Sequence, residues 1–180
     1  SVRLALFAQM LKGREWTLAT LHQLGGAAGV GESFLEETFV TPATAPAGHR
    51  IHQVAARRVL ASLMPPPGTD IKGHKRSHAE LMKAAEYEKH PEDFEELLRI
   101  LDQELRLISP ADPQQLARDS QGQQQDANAA YYQLTHDYMV LSLRDWLTRK
   151  QQATCRGRAE LTLERRTNQW LAAKKDPSLL

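Results

Sequence analysis

The sequence predicts a mainly α chain with one short β-hairpin, and three observations carry that prediction. Phe94, Leu97, Leu98, Leu101 and Leu105 recur at helical spacing and run into Arg106-Leu107-Ile108, a short apolar stretch. The aromatic run Tyr131-Tyr132-Gln133-Leu134 reads as a strand and meets Thr135-His136-Asp137-Tyr138-Met139. Met139, Leu143, Trp146 and Leu147 then give one apolar stripe on a long basic helix. Helix, strand, loop, strand and helix in that order form the tail of a winged helix. The expected fold is therefore a small helical unit, a winged-helix unit with one short hairpin, and a C-terminal helical extension.

The first unit, residues 1–40, reads as three short helices. Leu4, Phe7, Ala8 and Leu11 share a face. Thr17 can cap a helix from Leu18 to Leu24, which Gly25-Gly26 stops, and Phe34, Leu35 and Phe39 mark a third. Residues 41–48, Thr41-Pro42-Ala43-Thr44-Ala45-Pro46-Ala47-Gly48, supply prolines and small residues without periodicity, so a linker is expected there. The winged-helix unit is expected over 49–147.

In that unit Ile51, Ala55, Val59 and Leu63 are expected on one helix face, terminated by Pro65-Pro66-Pro67-Gly68. Ser77-His78-Ala79-Glu80 has the spacing of a capping box, in which Ser and Glu satisfy each other's exposed amides, and opens a helix to about Tyr87. Pro91 suits a first helical position, where its missing N–H costs nothing, and Glu92, Asp93, Glu95 and Glu96 suit the positive end of the helix dipole. Residues 111–129 are rich in Gln, Asp, Ala and Ser and are expected to form a disordered loop between two antiparallel strands. Over 148–180, Leu161, Leu163, Trp170 and Leu171 mark further helix, with Gly157 as the expected kink or break.

Length and composition bound the chemistry. The 180 residues carry a formal net charge of +1, but the segment from Arg144 to Lys175 is basic while residues 92–96 are acidic. No stretch approaches the ~18 uninterrupted apolar residues of a spanning helix, and no signal-peptide pattern opens the chain, so a soluble, cytoplasmic protein is expected. Cys155, the only cysteine, excludes a disulfide framework within the chain and a CxxC metal site, and a free thiol is expected. The apolar-periodic start and the ending Asp176-Pro177-Ser178-Leu179-Leu180 read as cut from a longer protein.

Taken together, these pieces resemble the region after the nucleotide-binding core of STAND-type NTPases, the signal-transduction ATPases that include NACHT proteins, AP-ATPases and NLRs. The nearest likeness is to a bacterial branch whose winged helix ends in His-Asp or His-Glu before a Trp-Leu helix. Thr135-His136-Asp137-Tyr138-Met139 with Arg144-Asp145-Trp146-Leu147 carries it, together with Gln169-Trp170-Leu171 through Leu180 and the opening Arg3-Leu4-Ala5-Leu6-Phe7-Ala8. The resemblance implies a non-catalytic arm that senses the nucleotide state of the core and relays it to effector or sensor domains. The implied partner is the nucleotide-binding domain of the same polypeptide, which in the parent protein binds ATP or ADP with Mg, and oligomerisation of the parent is compatible with the resemblance. It also implies that His136 and Asp137 stand at the Met-His-Asp position, where the histidine meets the β-phosphate of ADP. Imidazole suits that task, because it donates a hydrogen bond to phosphate and carries a charge tunable near neutral pH. Thr135 departs from the methionine of that motif. The bland reading of His136 and Asp137 is a strand–helix corner and a helix cap.

Other chemistries have less support. No Gly-x-x-x-x-Gly-Lys-Ser/Thr occurs, and Gly25-Gly26-Ala27-Ala28-Gly29-Val30-Gly31 lacks both the lysine and the hydroxyl that reach phosphate and magnesium, so no catalytic residue and no cofactor is expected in this chain. His49-x-x-His52 and His74-x-x-x-His78 have spacings that bring imidazoles together, but surface histidines at helix ends are the expectation and no metal site is assigned. The alternative function is a winged-helix nucleic-acid-binding module, with Arg165 and Arg166 touching the phosphate backbone. Against base-specific reading, the helix that would enter the groove begins with four carboxylates, which phosphates repel.

Overall fold

The computed structural model describes Ala8, Gly13, Glu15 and residues 17–23, 26–65, 75–111, 130–136 and 139–172. The fold is mainly α, with a small antiparallel sheet. Residues 1–144 and 145–180 form two compact units.

In the first unit α1 (Leu18–Gln23) starts as expected, with the Thr17 hydroxyl accepting the Thr20 N–H at 3.1 Å. The first apolar face, Leu4, Phe7 and Leu11, lies outside the described residues. Helix α2 (Gly26–Phe39) begins earlier than its aromatic marks suggest: Gly26, at φ +77°, opens it, and Gly29 and Gly31 continue it rather than breaking it. Gly31 has a reason of its own. A Cβ there would lie 2.5 Å from Ser142 Oγ and 2.7 Å from Ser142 Cβ, so only glycine allows this approach.

The expected linker at 41–48 is ordered and lies within the first unit. Both the Thr41 N–H and its hydroxyl bond to the Glu36 carbonyl, Ala45 N–H donates to Thr41 O at 2.8 Å, and Ala45 is buried. Its last residues already belong to α3 (Ala47–Ile51), followed by α4 (Gln53–Ser62). The turn at His52 between them resets the helical phase. Its consequence is a correction: Ile51 is 75% exposed, and the buried stripe is His52, Ala55, Ala56, Val59, Leu60 and Leu63.

Strand β1 (Arg76–Ser77) leads directly into α5 (His78–Ala85). The capping box is complete, with Glu80 N–H donating to Ser77 Oγ and Ser77 N–H donating to the Glu80 carboxylate at 2.8 Å. This helix stops at Ala85, two residues before Tyr87, and Glu86, with a φ of 61°, gives it a left-handed end. Helix α6 (Pro91–Arg99) has Pro91 in its first turn and buries Phe94, Leu97 and Leu98. Its continuation, Ile100–Glu104, is a π-helical turn, closed by Leu105 N–H to Ile100 O at 2.9 Å. Arg106 then takes φ 52° and strand β2 is Ile108–Pro110, two residues later than the apolar run suggests.

The sheet has three strands rather than the expected two. Strand β3 (Tyr131–Leu134) is central, in the order β1-β3-β2, antiparallel to both neighbours. Arg76 faces Tyr132, Ile108 faces Leu134 and Ser109 faces Gln133. Pro110, which cannot donate to a ladder, sits on the edge strand β2. The loop expected at 111–129 lies outside the described residues apart from buried Ala111.

Helix α7 (Met139–Gln152) buries Met139, Val140, Ser142, Leu143 and Trp146. The second unit continues through α8 (Cys155–Ala172). The break falls at Ala153-Thr154, where the Thr154 hydroxyl caps α8 by accepting the Gly157 N–H at 3.0 Å. Gly157 is therefore not the break but the residue that permits it: a Cβ would lie 2.2 Å from the Gln151 carbonyl oxygen. Two of the four apolar residues expected to mark this extension are exposed, Leu163 at 68% and Leu171 at 51%. Among the described residues, no helix is long and apolar enough to cross a membrane.

Candidate functional site

His136 follows β3 directly, and two short contacts fix its backbone. Thr135 N–H donates to Leu107 O at 3.0 Å, extending the ladder, and the His136 carbonyl accepts Met139 N–H at 3.2 Å, at the start of α7. Leu134, buried opposite Ile108, anchors the strand end from the core side. His136 itself is half-buried. Gln133 and Thr135, two positions apart on extended backbone, share a face. Their side-chain oxygens Oε1 and Oγ1 are both buried, and neither has a hydrogen-bond partner among the described residues. Such acceptors cost free energy unless a donor reaches them. Asp137, the second residue of the pair, lies outside the described residues.

Three histidines make a second cluster that the sequence did not assign to any task. His49 and His52 are buried, which corrects the expectation of surface histidines. His49 Nε2 donates to Glu104 at 2.9 Å, and Arg99 pairs with the same carboxylate. His52 Nδ1 shares a 2.9 Å hydrogen bond with the Tyr87 hydroxyl, and its Nε2 is 3.7 Å from Glu96. His78 is half-buried, donates to Glu95 at 2.7 Å and stands edge-on to Phe94, with ring centroids 4.9 Å apart. These contacts tie α3, the α3–α4 turn and α5 to α6 and its π turn. His74 lies outside the described residues, and among those described no three His, Cys, Asp or Glu residues are grouped to hold a metal ion.

The electrostatics follow from these pairings. The hydrogen bond from His49, helped by Arg99, holds the Glu104 carboxyl below its ordinary value of 4.5. Burial, with Asp93 and Glu96 nearby, pushes the Tyr87 hydroxyl up. The Ser77 backbone N–H holds the Glu80 carboxyl down. A depressed carboxylate stabilises the fold above its unfolded value, and that contribution disappears as pH falls through the lower folded value. Melting temperature should therefore drop on acidification below about pH 4.5, and Glu104→Gln should flatten part of that slope while leaving the curve above pH 6 parallel to the parent's. Calorimetric scans between pH 3 and pH 7 measure it; an unchanged acid limb in Glu104→Gln would remove the role given to the His49 contact.

The residues of a nucleic-acid interface are differently placed. Glu92, Asp93, Glu95 and Glu96 are all exposed along α6, so the helix presents carboxylates to solvent. Arg165 and Arg166 are exposed on α8, in the second unit, whereas His136 belongs to the first. Comparison with protein-family models, with curated proteins and with solved structures returns no match for this chain.

Proposed function

We propose that this chain is the regulatory winged-helix arm of a STAND-type ATPase, a cytoplasmic, non-catalytic element that senses nucleotide state and relays it to neighbouring effector or sensor domains. The observation that carries this reading is a topology with a histidine at its end. Helix α4, strand β1, helices α5 and α6, and strands β2 and β3 follow in winged-helix order with β3 central, and His136 stands between β3 and α7. A half-buried histidine whose backbone is set by a strand end and a helix start projects its side chain from a fixed place, which suits one directed hydrogen bond to a phosphate.

The nucleotide in this reading, ATP or ADP with magnesium, is held by a core whose phosphate-binding pattern does not occur in these 180 residues. The residues present fit a single phosphate contact rather than a nucleotide pocket. His136 supplies the donor, while Thr135, its neighbour on the strand end, directs its buried hydroxyl to the opposite face. The nucleic-acid alternative has exposed Arg165 and Arg166 in its favour, but the four carboxylates on α6 oppose groove reading, leaving it only salt-sensitive phosphate contacts.

Replacement of His136 by Ala in the full-length protein tests the proposal. A charge-assisted hydrogen bond is worth about 1.5–3 kcal/mol, so ADP release should accelerate by roughly ten- to a hundred-fold. Calorimetry should detect no micromolar binding of ADP to the isolated chain. An unaltered ADP off-rate in the full-length variant would make the histidine a corner residue and overturn the reading.

A further inference from the structure

Helix α8 is long, basic at several positions and poorly covered. Of its residues with described side chains, only Gly157, Leu161 and Trp170 are not exposed. A shallow, open patch lies along one of its faces, made by Cys155, Arg158, Ala159, Thr162, Leu163 and Arg166. The spacing of three, four, seven, eight and eleven residues from Cys155 keeps all six on one stripe. Among the described residues, no carboxylate lines it. Glu160 is turned to Arg156, with 2.8 Å between the guanidinium and the carboxylate, on another face. Leu163 stands in the stripe with 68% of its surface in water, and Arg158 and Arg166 stand to either side of it along the helix. Eight residues separate the two arginines, about 12 Å along the axis.

An apolar centre between two cations two turns apart is the complement of one particular surface. We propose that this face of α8 docks an acidic amphipathic helix from a partner protein, whose central apolar side chain covers Ala159 and Leu163 and whose two carboxylates meet Arg158 and Arg166. This inference is independent of the role given to His136. The two-turn spacing repeats on any helix laid alongside, at positions seven or eight apart.

Other occupants fit less well. A membrane surface needs a broad apolar face, and this one offers a single large side chain. Nucleic acid would set Leu163 against phosphates, where it gains nothing. A second copy would have to offer acid beside exposed apolar surface. Its acidic helix α6 buries Phe94, Leu97 and Leu98, and its exposed Ile51 and Val54 stand between Arg50 and Arg58; exposed Leu141, with Asp145 one turn on, offers a single carboxylate among the described residues, and sedimentation tests that case.

The test uses the full 180-residue chain and an acetylated, alanine-rich helical peptide with leucine at its centre and glutamate four positions to either side. Its isomer, with the glutamates two positions to either side and so turned to the opposite face, is the control. Cys155, exposed, part of this patch and the only cysteine in the sequence, reports occupancy by its rate of alkylation. The peptide should slow alkylation and the isomer should bind about tenfold more weakly. Arg166→Glu should cost about tenfold, regained with a peptide carrying lysine in place of glutamate, and Leu163→Ser should cost as much while Leu163→Met does not. Arg158 also donates to the Gln152 carbonyl at 2.9 Å, so the charge swap is placed at Arg166, which leaves the α7–α8 corner intact. Equal affinity for the two isomers would overturn the proposal. So would preferential binding to a DNA duplex or to phosphatidylserine vesicles that Arg166→Glu abolishes, or sedimentation as a dimer that Leu163→Ser dissolves.

Discussion

Phe94→Ala should lower the stability of the first unit by about 3–5 kcal/mol, the usual cost of emptying a large buried aromatic site. Phe94 is fully buried on the inner face of α6, beside Leu97 and Leu98, and its ring takes the edge of His78. The cavity would therefore be felt by two helices, because α5 loses the ring against which its first histidine is set. For a chain of this length the change corresponds to a fall of about 6–20 °C in melting temperature. Phe94→Leu, which keeps most of the volume, should cost less than half as much. A loss under about 1 kcal/mol in the alanine variant would mean that α6 is not anchored by this residue.

Gly31 should be equally intolerant, for the opposite reason. Alanine there gains about 1 kcal/mol of helix propensity but meets both the Oγ and the Cβ of Ser142, and the Cβ, fixed to the α7 backbone, cannot swing aside. Overpacking of this kind costs about 1–3 kcal/mol and more for a larger side chain, so Gly31→Ala should destabilise on balance and Gly31→Leu should reach about 3 kcal/mol or beyond. The partner variants separate the causes. Ser142→Ala retains the offending Cβ and should not rescue Gly31→Ala, whereas Ser142→Gly should, giving a coupling of about 1 kcal/mol or more in denaturant melts. Additive double variants would show that α2 and α7 can part without cost.

These two residues also mark how far the amino-acid order could be read. Phe94 was visible because Phe94, Leu97, Leu98, Leu101 and Leu105 repeat at helical spacing, and the repeat survives the change to a π turn at Ile100. Thr17, Ser77 with Glu80, and Pro91 were visible because caps are local chemistry, decided within four residues. Gly31 was not visible, since its partner Ser142 lies 111 positions away and a glycine run looks the same whether it breaks a helix or lets another approach. Strand β1 escaped because two residues carry no periodicity, and Ser77 was already explained as a cap. The stripe on α4 was displaced because the turn at His52 shifts its phase, which moves Ile51 out to solvent.

The histidines failed to show for a related reason. A histidine near a helix end reads as polar surface until its carboxylate arrives, and Glu104, Glu96 and Glu95 arrive from 55, 44 and 17 residues further along the chain. Of the candidate regulatory pair, His136 was placed at a strand–helix junction by the alternation of Tyr131 to Leu134 and the stripe from Met139, and it stands there. The buried oxygens of Gln133 and Thr135 beside it depend on how the sheet is covered, which alternation alone does not specify.

The order of the sheet sets a schedule for a chain emerging from a ribosome. Strand β3 lies between two strands that are both synthesised before it, and among the described residues β1 and β2 pair with β3 alone. Until Leu134 has left the exit tunnel the nascent chain holds two unpaired strands and must rely on packing among α4, α5 and α6. The Ser77–Glu80 box and the histidine contacts to α6 join residues already present at that stage, so they can hold the helices while both strands wait. Translation of β3 is then the event that lets both waiting strands pair.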